Sequence, residues 1–339
     1  MSSPPNPIAV LAYRGKRIES WHRAAYAIAD PSGRLVHASG DVSRPIHPRS
    51  AVKPLQALAL LESGAAERFE VSDAELALAC ASHSGEPRHV DRVLAWLARL
   101  GLDQSALECG AHPPMHAASA DRVRAGGQAF SPVHNNCSGK HAGMLTLATA
   151  LGAPISGYAH PDHPVQQRIG TVLAEMAGTE TLPAPAIDGC GVPTYPMSLT
   201  QLAAAMARLA DPSGLAPVRA AACFRVRSAM INHPDLVAGT GRVCTAIMTA
   251  APNVIVKTGT EGVYAAVVPE RKLGLVLKVD DGAGRAASVA LLALLAALQA
   301  LDEKARRALS ALARPRLHNH AGRPIGQLEP AVDWPDLRG

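Results

Sequence analysis

Aromatic residues are scarce in this chain. Phe, Tyr and Trp make up 3% of its 339 residues. Proteins that grip unpaired bases stack them on exposed aromatic rings, so that class of nucleic-acid binder is disfavoured. Charge of one sign is not gathered in one place either. The net charge of +5 comes from dispersed arginines, and basic clusters such as Arg314-Pro315-Arg316 are short. A solvated surface is expected rather than a polyanion-binding stripe. An apolar run long enough for a membrane span is also missing. The most apolar stretch, Ala286 to Leu301, falls short of the roughly 20 residues a spanning helix needs, and it carries Ser288 and Gln299. It reads as a buried helix packed on a sheet. No export signal is legible, because the apolar run Ile8 to Tyr13 is short and stops at Arg14. Six cysteines in a chain this long, with no export signal legible, should be reduced, and a cytoplasmic protein is expected.

What the chain does have is aliphatic side chains. Its hydrophobic content of 48% is ample for a core of Ala, Leu and Val. The length suits about two domains or one large one. Ile8 to Tyr13, Ala24 to Ala29 and Arg34 to Ala38 read as strands, the last two joined by the turn Asp30-Pro31-Ser32-Gly33. Strand character returns at Asn253 to Val256, Val263 to Val268 and Leu273 to Val279, before the helix at Ala286 and another near Asp302. Between these ends lie helical stretches at Pro87 to Leu100, His141 to Leu151, Pro164 to Ala177 and Leu199 to Leu209. Asp162 or His163 is placed to cap the third. The expected fold is therefore α+β: a largely antiparallel sheet built from both ends of the chain, flanked by helices, with a helical middle. The sheet region would take roughly residues 1–45 and 250–339, and the helical region roughly 46–249, of one catalytic unit spanning 1–339.

The stretch Arg49-Ser50-Ala51-Val52-Lys53-Pro54 carries the sharpest chemical signal. Proline lacks an N–H and is tolerated only in a helix's first turn, so a helix must begin close to Ser50. A lysine three residues later returns to the same face. Ser and Lys one turn apart are what a serine nucleophile with a lysine base requires, provided burial or a neighbouring cation favours the neutral amine. Alone, Ser-x-x-Lys is common at capped helix starts. Here Lys257-Thr258-Gly259 follows a short apolar run far downstream. Ser-x-x-Lys on a helix and Lys-Thr-Gly on a strand, in that order, is the layout of penicillin-recognising serine hydrolases.

Three further polar segments stand out. Cys80 to Glu86 offers Ser82 as a second serine, with Ser84 and His83 as rivals. Asn135 to His141 places Cys137 and His141 four residues apart. Asp188 to Pro193 is a glycine-rich loop carrying Cys190. Two loop thiols with a His or Lys would hold Zn²⁺, although the spacing matches no finger or ribbon and packed reduced thiols are the plainer reading. Ser138-Gly139-Lys140 lacks the earlier glycine of a phosphate-binding loop. His112 and His116 are separated by Pro113 and Pro114, which break the helix that would align them.

Taken together, these motifs resemble one family. Arg-Ser-x-x-Lys-Pro at 49–54, Cys-Ala-Ser-His-Ser-Gly-Glu at 80–86, Asn-Asn-Cys-Ser-Gly-Lys-His at 135–141, Asp-Gly-Cys-Gly-Val-Pro at 188–193 and Lys-x-Gly-x-Glu-Gly at 257–262 are similar to the Rhizobium etli type of L-asparaginase. The resemblance spans nearly the whole chain. It implies a fold like that of serine β-lactamases and glutaminases, and hydrolysis of L-asparagine to L-aspartate and ammonia. It implies two Ser–Lys pairs, Ser50 with Lys53 and Ser82 with Lys257. It also implies zinc held by Cys137, Lys140 and Cys190, which promotes Lys140 over His141. Arg49, His83, Asp188 and Glu261, inside the same motifs, are the candidate substrate-binding residues, and a homodimer is the expected assembly. Glutaminase activity is a close rival, because one methylene is worth only about 1–3 kcal/mol of discrimination in a pocket. A penicillin-interacting hydrolase would be acylated by β-lactams, and a non-catalytic zinc-binding protein would tolerate loss of Ser50.

Overall fold

The computed structural model describes residues 5–335 and Leu337. They fall into two compact units. The first takes the chain up to Ala51, Met197–Asp211 and everything from Ala246 on; the second takes Val52–Pro196 and Pro212–Thr245.

Ten strands occur among the described residues: β1 (Ile8–Arg14), β2 (Arg17–Ala29), β3 (Leu35–Ser39), β4 (Ala186–Ile187), β5 (Pro193–Thr194), β6 (Ile255–Thr258), β7 (Val263–Val268), β8 (Leu273–Val279), β9 (Arg316–His318) and β10 (Pro324–Pro330). Eight of them build the antiparallel sheet of the first unit, in the order β6-β7-β8-β2-β1-β10-β9, with β3 paired to β2. Both ends of the chain contribute, as the strand pattern predicts. The long strand β2 changes character along its length. Its first half, beside β1, is mostly exposed; Ala24 to Ala29, between β8 and β3, is wholly buried. Every position of β7 is buried as well, which requires cover on both faces.

Two helices supply that cover. The apolar helix Gly284–Ala297 lies on β1, β7, β8 and β10. It is the buried, sheet-packed helix its composition predicts, and no helix among the described residues is long and apolar enough to cross a membrane. The second helix, Leu199–Ala210, packs on β2, β7 and β8. It starts with a capping box formed by Ser198 and Gln201, and its buried face is rich in alanine. Small side chains let a helix sit close on a sheet, which is how a chain so poor in aromatics closes its core. Sequence alone groups this helix with the helical middle; its tertiary contacts put it in the sheet unit. The terminal strands β9 and β10 carry little strand signal. Proline stands at both ends of β10, and Leu328 is its only fully buried residue, so pairing with β1 rather than local pattern makes it a strand.

The second unit is helical. The helices Pro87–Arg99, Pro164–Ala177 and Pro217–Asn232 each begin with a proline in the first turn. His163 caps the second of these by accepting from the Val165 N–H at 3.2 Å. Asp73–Ala79 starts with a Ser72–Glu75 capping box. The helix Ser138–Leu151 is buried continuously from Ser138 to Ala148 and forms the centre of the unit. Its start is pressed against the helix Asp73–Ala79: a Cβ at Gly139 would meet the Leu78 carbonyl oxygen at 2.5 Å. Only glycine permits that approach, and the approach brings Cys137 and Lys140 beside the segment that follows Ala79. The short hairpin β4–β5 holds the loop 188–192 at its tip.

Candidate active site

In the sheet unit the chemistry gathers around Ser50 and the end of β6. Arg49–Val52 forms a 3₁₀ turn, and the α-helix Lys53–Gln56 follows directly, with Pro54 in its first turn. The spacing places Ser50 at an α-helix start; the structure places it inside the tighter turn ahead of that helix. Lys53, three residues after Ser50, is the first residue of that helix. Arg49 has φ 52° and Glu261 has φ 57°. Non-glycine residues resist this region, and such strain collects at functional sites. Lys257 lies on β6 opposite Ala265, is 2% exposed, and donates from Nζ to the Thr258 carbonyl at 2.8 Å. Two residues on, a Cβ at Gly259 would come within 2.7 Å of the Pro48 carbonyl oxygen. The glycine of Lys-Thr-Gly thus lets the end of β6 close on the chain that leads into Ser50.

In the helical unit the centre is Lys53. Its side chain is wholly buried. Nζ donates to the Ala81 carbonyl at 2.5 Å and lies 3.1 Å from both Ser82 Oγ and Cys137 Sγ. Among Ser82, Ser84 and His83, it is therefore Ser82 that meets the lysine. Ser84 Oγ turns away and donates to the Ala238 carbonyl at 2.9 Å. His83 is fully buried, and both of its ring nitrogens are engaged. Nδ1 accepts from the Gly85 N–H at 3.2 Å, so Nε2–H donates to Ser138 Oγ at 2.9 Å. Burial, then the positive fields of His89 and Lys53, hold His83 well below the usual imidazole range. The ring stacks on His89 at 5.0 Å as a neutral brace for the loop.

The two loop thiols and the amine also converge. Lys140 Nζ donates to Cys190 Sγ at 2.9 Å. The tight turn Asp188 to Val192 aims Cys190 inward: the Asp188 N–H donates to the Val192 carbonyl at 2.8 Å, and the Gly191 N–H to the Asp188 carbonyl at 2.9 Å. A hydrogen bond from the Cys190 thiol is the main reason Cys137 is held well below the usual thiol range, with Lys53 and Lys140 adding positive charge against the cost of burial. The same bond, with burial, pushes Cys190 up. Burial draws Lys140 down, but the neighbouring sulfurs of Cys137 and Cys190 outweigh it and leave it raised, with Asp188 adding to the effect. His141, the alternative ligand, turns elsewhere: its Nδ1 lies 2.6 Å from the Tyr158 hydroxyl. No cluster of three or more His, Cys, Asp or Glu side chains suited to a metal occurs among the described residues, so any metal set here must count the lysine. Two sulfurs and one amine nitrogen, brought together through Cys190, are a donor set that fits a borderline-soft cation such as Zn²⁺.

Local sequence pattern leaves some participants unmarked. The contact of Lys53 with Cys137 joins the Lys53–Ser82 pair to the thiol cluster, and nothing in local spacing announces it, since 84 residues separate the two. Glu86, Arg88, Gly239 and Thr240 form a second network around the loop that carries Ser82. Glu86 closes the motif 80–86 and was the available clue.

Comparison with known proteins decides the family. The L-asparaginase II family profile matches residues 10–330. This chain belongs to the L-asparaginase II family. It is an amidohydrolase of the L-asparaginase type. No curated relative matches it. Among solved structures it is similar to a β-lactamase from Mycobacterium bovis, with 17% identity over 86% of this chain and 95% of that one, at a TM-score of 0.39. It is also similar to a β-lactamase from Sphaerobacter thermophilus, with 13% identity over 86% of this chain and 92% of that one, TM-score 0.37. A mutant simvastatin synthase from Aspergillus terreus matches at 13% identity over 76% and 86%, TM-score 0.37. Likenesses this slight carry no argument about activity. The L-asparaginase II match covers all five motifs.

Proposed function

We propose that this L-asparaginase II family member hydrolyses L-asparagine to L-aspartate and ammonia through an aspartyl ester on Ser50, as the Rhizobium etli type would. The observation that carries the reading is Lys53: one turn from Ser50 in the chain, and in contact with the Ser82 hydroxyl at 3.1 Å. Ser50 Oγ attacks the side-chain amide carbon, and neutral Lys53 takes the hydroxyl proton. The tetrahedral oxyanion collapses and breaks the C–N bond. The departing nitrogen takes a proton passed from Lys53 through the Ser82 hydroxyl, and leaves as ammonia. Water then attacks the ester by the reverse route, with the same groups removing its proton and returning one to Ser50. Lys257 is assigned as the second base, paired with Ser82. Arg49, Asp188 and Glu261 are assigned to the substrate's charged groups, and His83 to the same site through its loop.

Cys137, Lys140 and Cys190 would hold Zn²⁺. When bound, the ion supplies a Lewis-acid anchor for a carboxylate or amino group. Since Ser50 is already the nucleophile, these residues serve substrate binding before chemistry. A cytoplasmic homodimer completes the reading.

The test is ammonia release measured side by side on L-asparagine, L-glutamine and a β-lactam. Turnover of asparagine well above glutamine supports the proposal. Preference for glutamine, or stable acylation by the β-lactam without amide turnover, would replace it with one of the rival hydrolases.

A further inference from the structure

Ser82 does not sit on a helix or strand. It lies in the irregular segment after the helix Asp73–Ala79, with its hydroxyl 3.1 Å from Lys53 Nζ. A second segment, residues 237–240, is fastened along it. The Ser82 N–H donates to the Val237 carbonyl at 3.0 Å. Ser84 Oγ donates to the Ala238 carbonyl at 2.9 Å. At the far end the Glu86 carboxylate accepts from the Thr240 N–H at 2.7 Å and from the Thr240 hydroxyl at 2.9 Å.

Between these bonds sits Gly239, with φ 122°. A Cβ there would strike Glu86 Oε1 at 2.5 Å and Ser84 Oγ at 2.8 Å. The two segments are therefore in closer contact than any side chain would allow. The clamp is itself held in place. Arg88 donates to Glu86, to Thr240 Oγ1 at 2.8 Å and to Asp235 at 3.0 Å. The Glu86 N–H donates to His89 Nδ1 at 3.0 Å, and His89 Nε2 lies 3.0 Å from the Asp235 carbonyl. Glu86 is 5% exposed, and a buried carboxylate with this many donors is a built feature rather than a surface accident.

We propose that Glu86 is a positioning residue for the amide hydrolysis: by clamping Gly239–Thr240 it holds residues 237–240 as a splint that fixes Ser82. The carboxylate bonds to Arg88 and Thr240 rather than to Ser82. It acts through the Val237 carbonyl that anchors the Ser82 backbone. This inference rests on the reading of Ser82 as a proton-relay residue.

The experiment is a double-mutant cycle of Glu86→Gln and Ser82→Ala, assayed on L-asparagine well below each protein's melting midpoint. Thr240→Val, which removes the hydroxyl's bonds to Glu86 and Arg88 and keeps the backbone N–H bond to Glu86, is measured in parallel. Expected for Glu86→Gln is a kcat at least about tenfold lower with KM within about twofold, and for Thr240→Val a smaller fall of the same kind. In the Ser82→Ala background, Glu86→Gln should lower kcat no further, because it acts through the hydroxyl already removed. A folded Glu86→Gln protein with unchanged kcat, or one whose loss recurs in full without Ser82, would overturn the splint while leaving Ser82 in its role. Full activity in Ser82→Ala would overturn the catalytic reading of Ser82, and the splint with it. Should Glu86→Gln fail to fold, Thr240→Val in the same cycle decides by the same criteria.

Discussion

Nζ of Lys53 lies 3.1 Å from Ser82 Oγ, between residues 29 apart in the chain. The same nitrogen stands 3.1 Å from Cys137 Sγ. One buried lysine thus touches the second serine and the thiol cluster, and is one turn from the first serine along the chain. Sequence alone pairs Lys53 with Ser50 only. The structure gives it Ser82 as well, and this shared position is the basis of the proton path proposed above.

The first prediction concerns Ser50. Ser50→Ala should lower asparagine turnover by several orders of magnitude with the melting midpoint little changed, since the side chain is only half-buried. Ammonia release from purified protein checks it. More than a few per cent of wild-type activity would sink the nucleophile assignment.

The lysines give the second. Arg keeps a positive charge but does not give up its proton near neutral pH. Lys53→Arg and Lys257→Arg should both be nearly inactive. Wild-type kcat should rise with pH into the alkaline range, as a lysine base requires. A rate that stays level from acid to alkaline pH would contradict a lysine base.

Cys190 supplies the third. Its sulfur accepts from Lys140 at 2.9 Å, and Cys190→Ser replaces it with a poorer ligand for zinc. Metal content after dialysis against zinc should drop, and KM should rise more than kcat falls. Zinc affinity should weaken as pH falls, because thiolate and amine ligands must both be deprotonated to bind. A variant that keeps its full complement of zinc would return Cys137 and Cys190 to the role of packed loop thiols.

The fourth is a stability profile. Burial alone would push the Glu86 carboxyl up, but hydrogen bonds from Thr240 and the Arg88 guanidinium outweigh it, and it falls from the usual 4.5 to about 2. A folded pKa below the unfolded one stabilises the protein in full above the unfolded value. That contribution is lost as pH falls from about 4.5 toward 2. At 1.36 kcal/mol per pKa unit, it is on the order of 3 kcal/mol. Glu86→Gln should therefore be less stable than wild type near pH 7, and the gap should narrow toward pH 3. Denaturation midpoints of both proteins at the two pH values measure this. An undiminished gap at pH 3 would show that the carboxylate's charge is not what stabilises.

Some of this was legible along the chain because it is local. The strands β7 and β8 and the helix Pro164–Ala177 fall where alternation, apolar runs and a first-turn proline put them. The proline at 54 locates Ser50 and Lys53 at a helix start, because a missing N–H leaves few places to stand. The loop motifs draw attention to Cys137 and Cys190, and the family resemblance adds Lys140. The rest depends on contacts between residues distant in sequence. β10 is a strand because β1 offers it a ladder, not because its proline-bounded residues favour one. The helix Leu199–Ala210 joins the sheet because its alanine face fits there, although helical periodicity is silent on what a helix packs against. Lys53 meets Ser82 and Cys137 across 29 and 84 residues of chain, and Glu86 meets Thr240 across 154. Propensity and spacing act over one or two turns, so they select the residue types. Which hydroxyl, thiol and carboxylate share a proton is decided by packing across the chain.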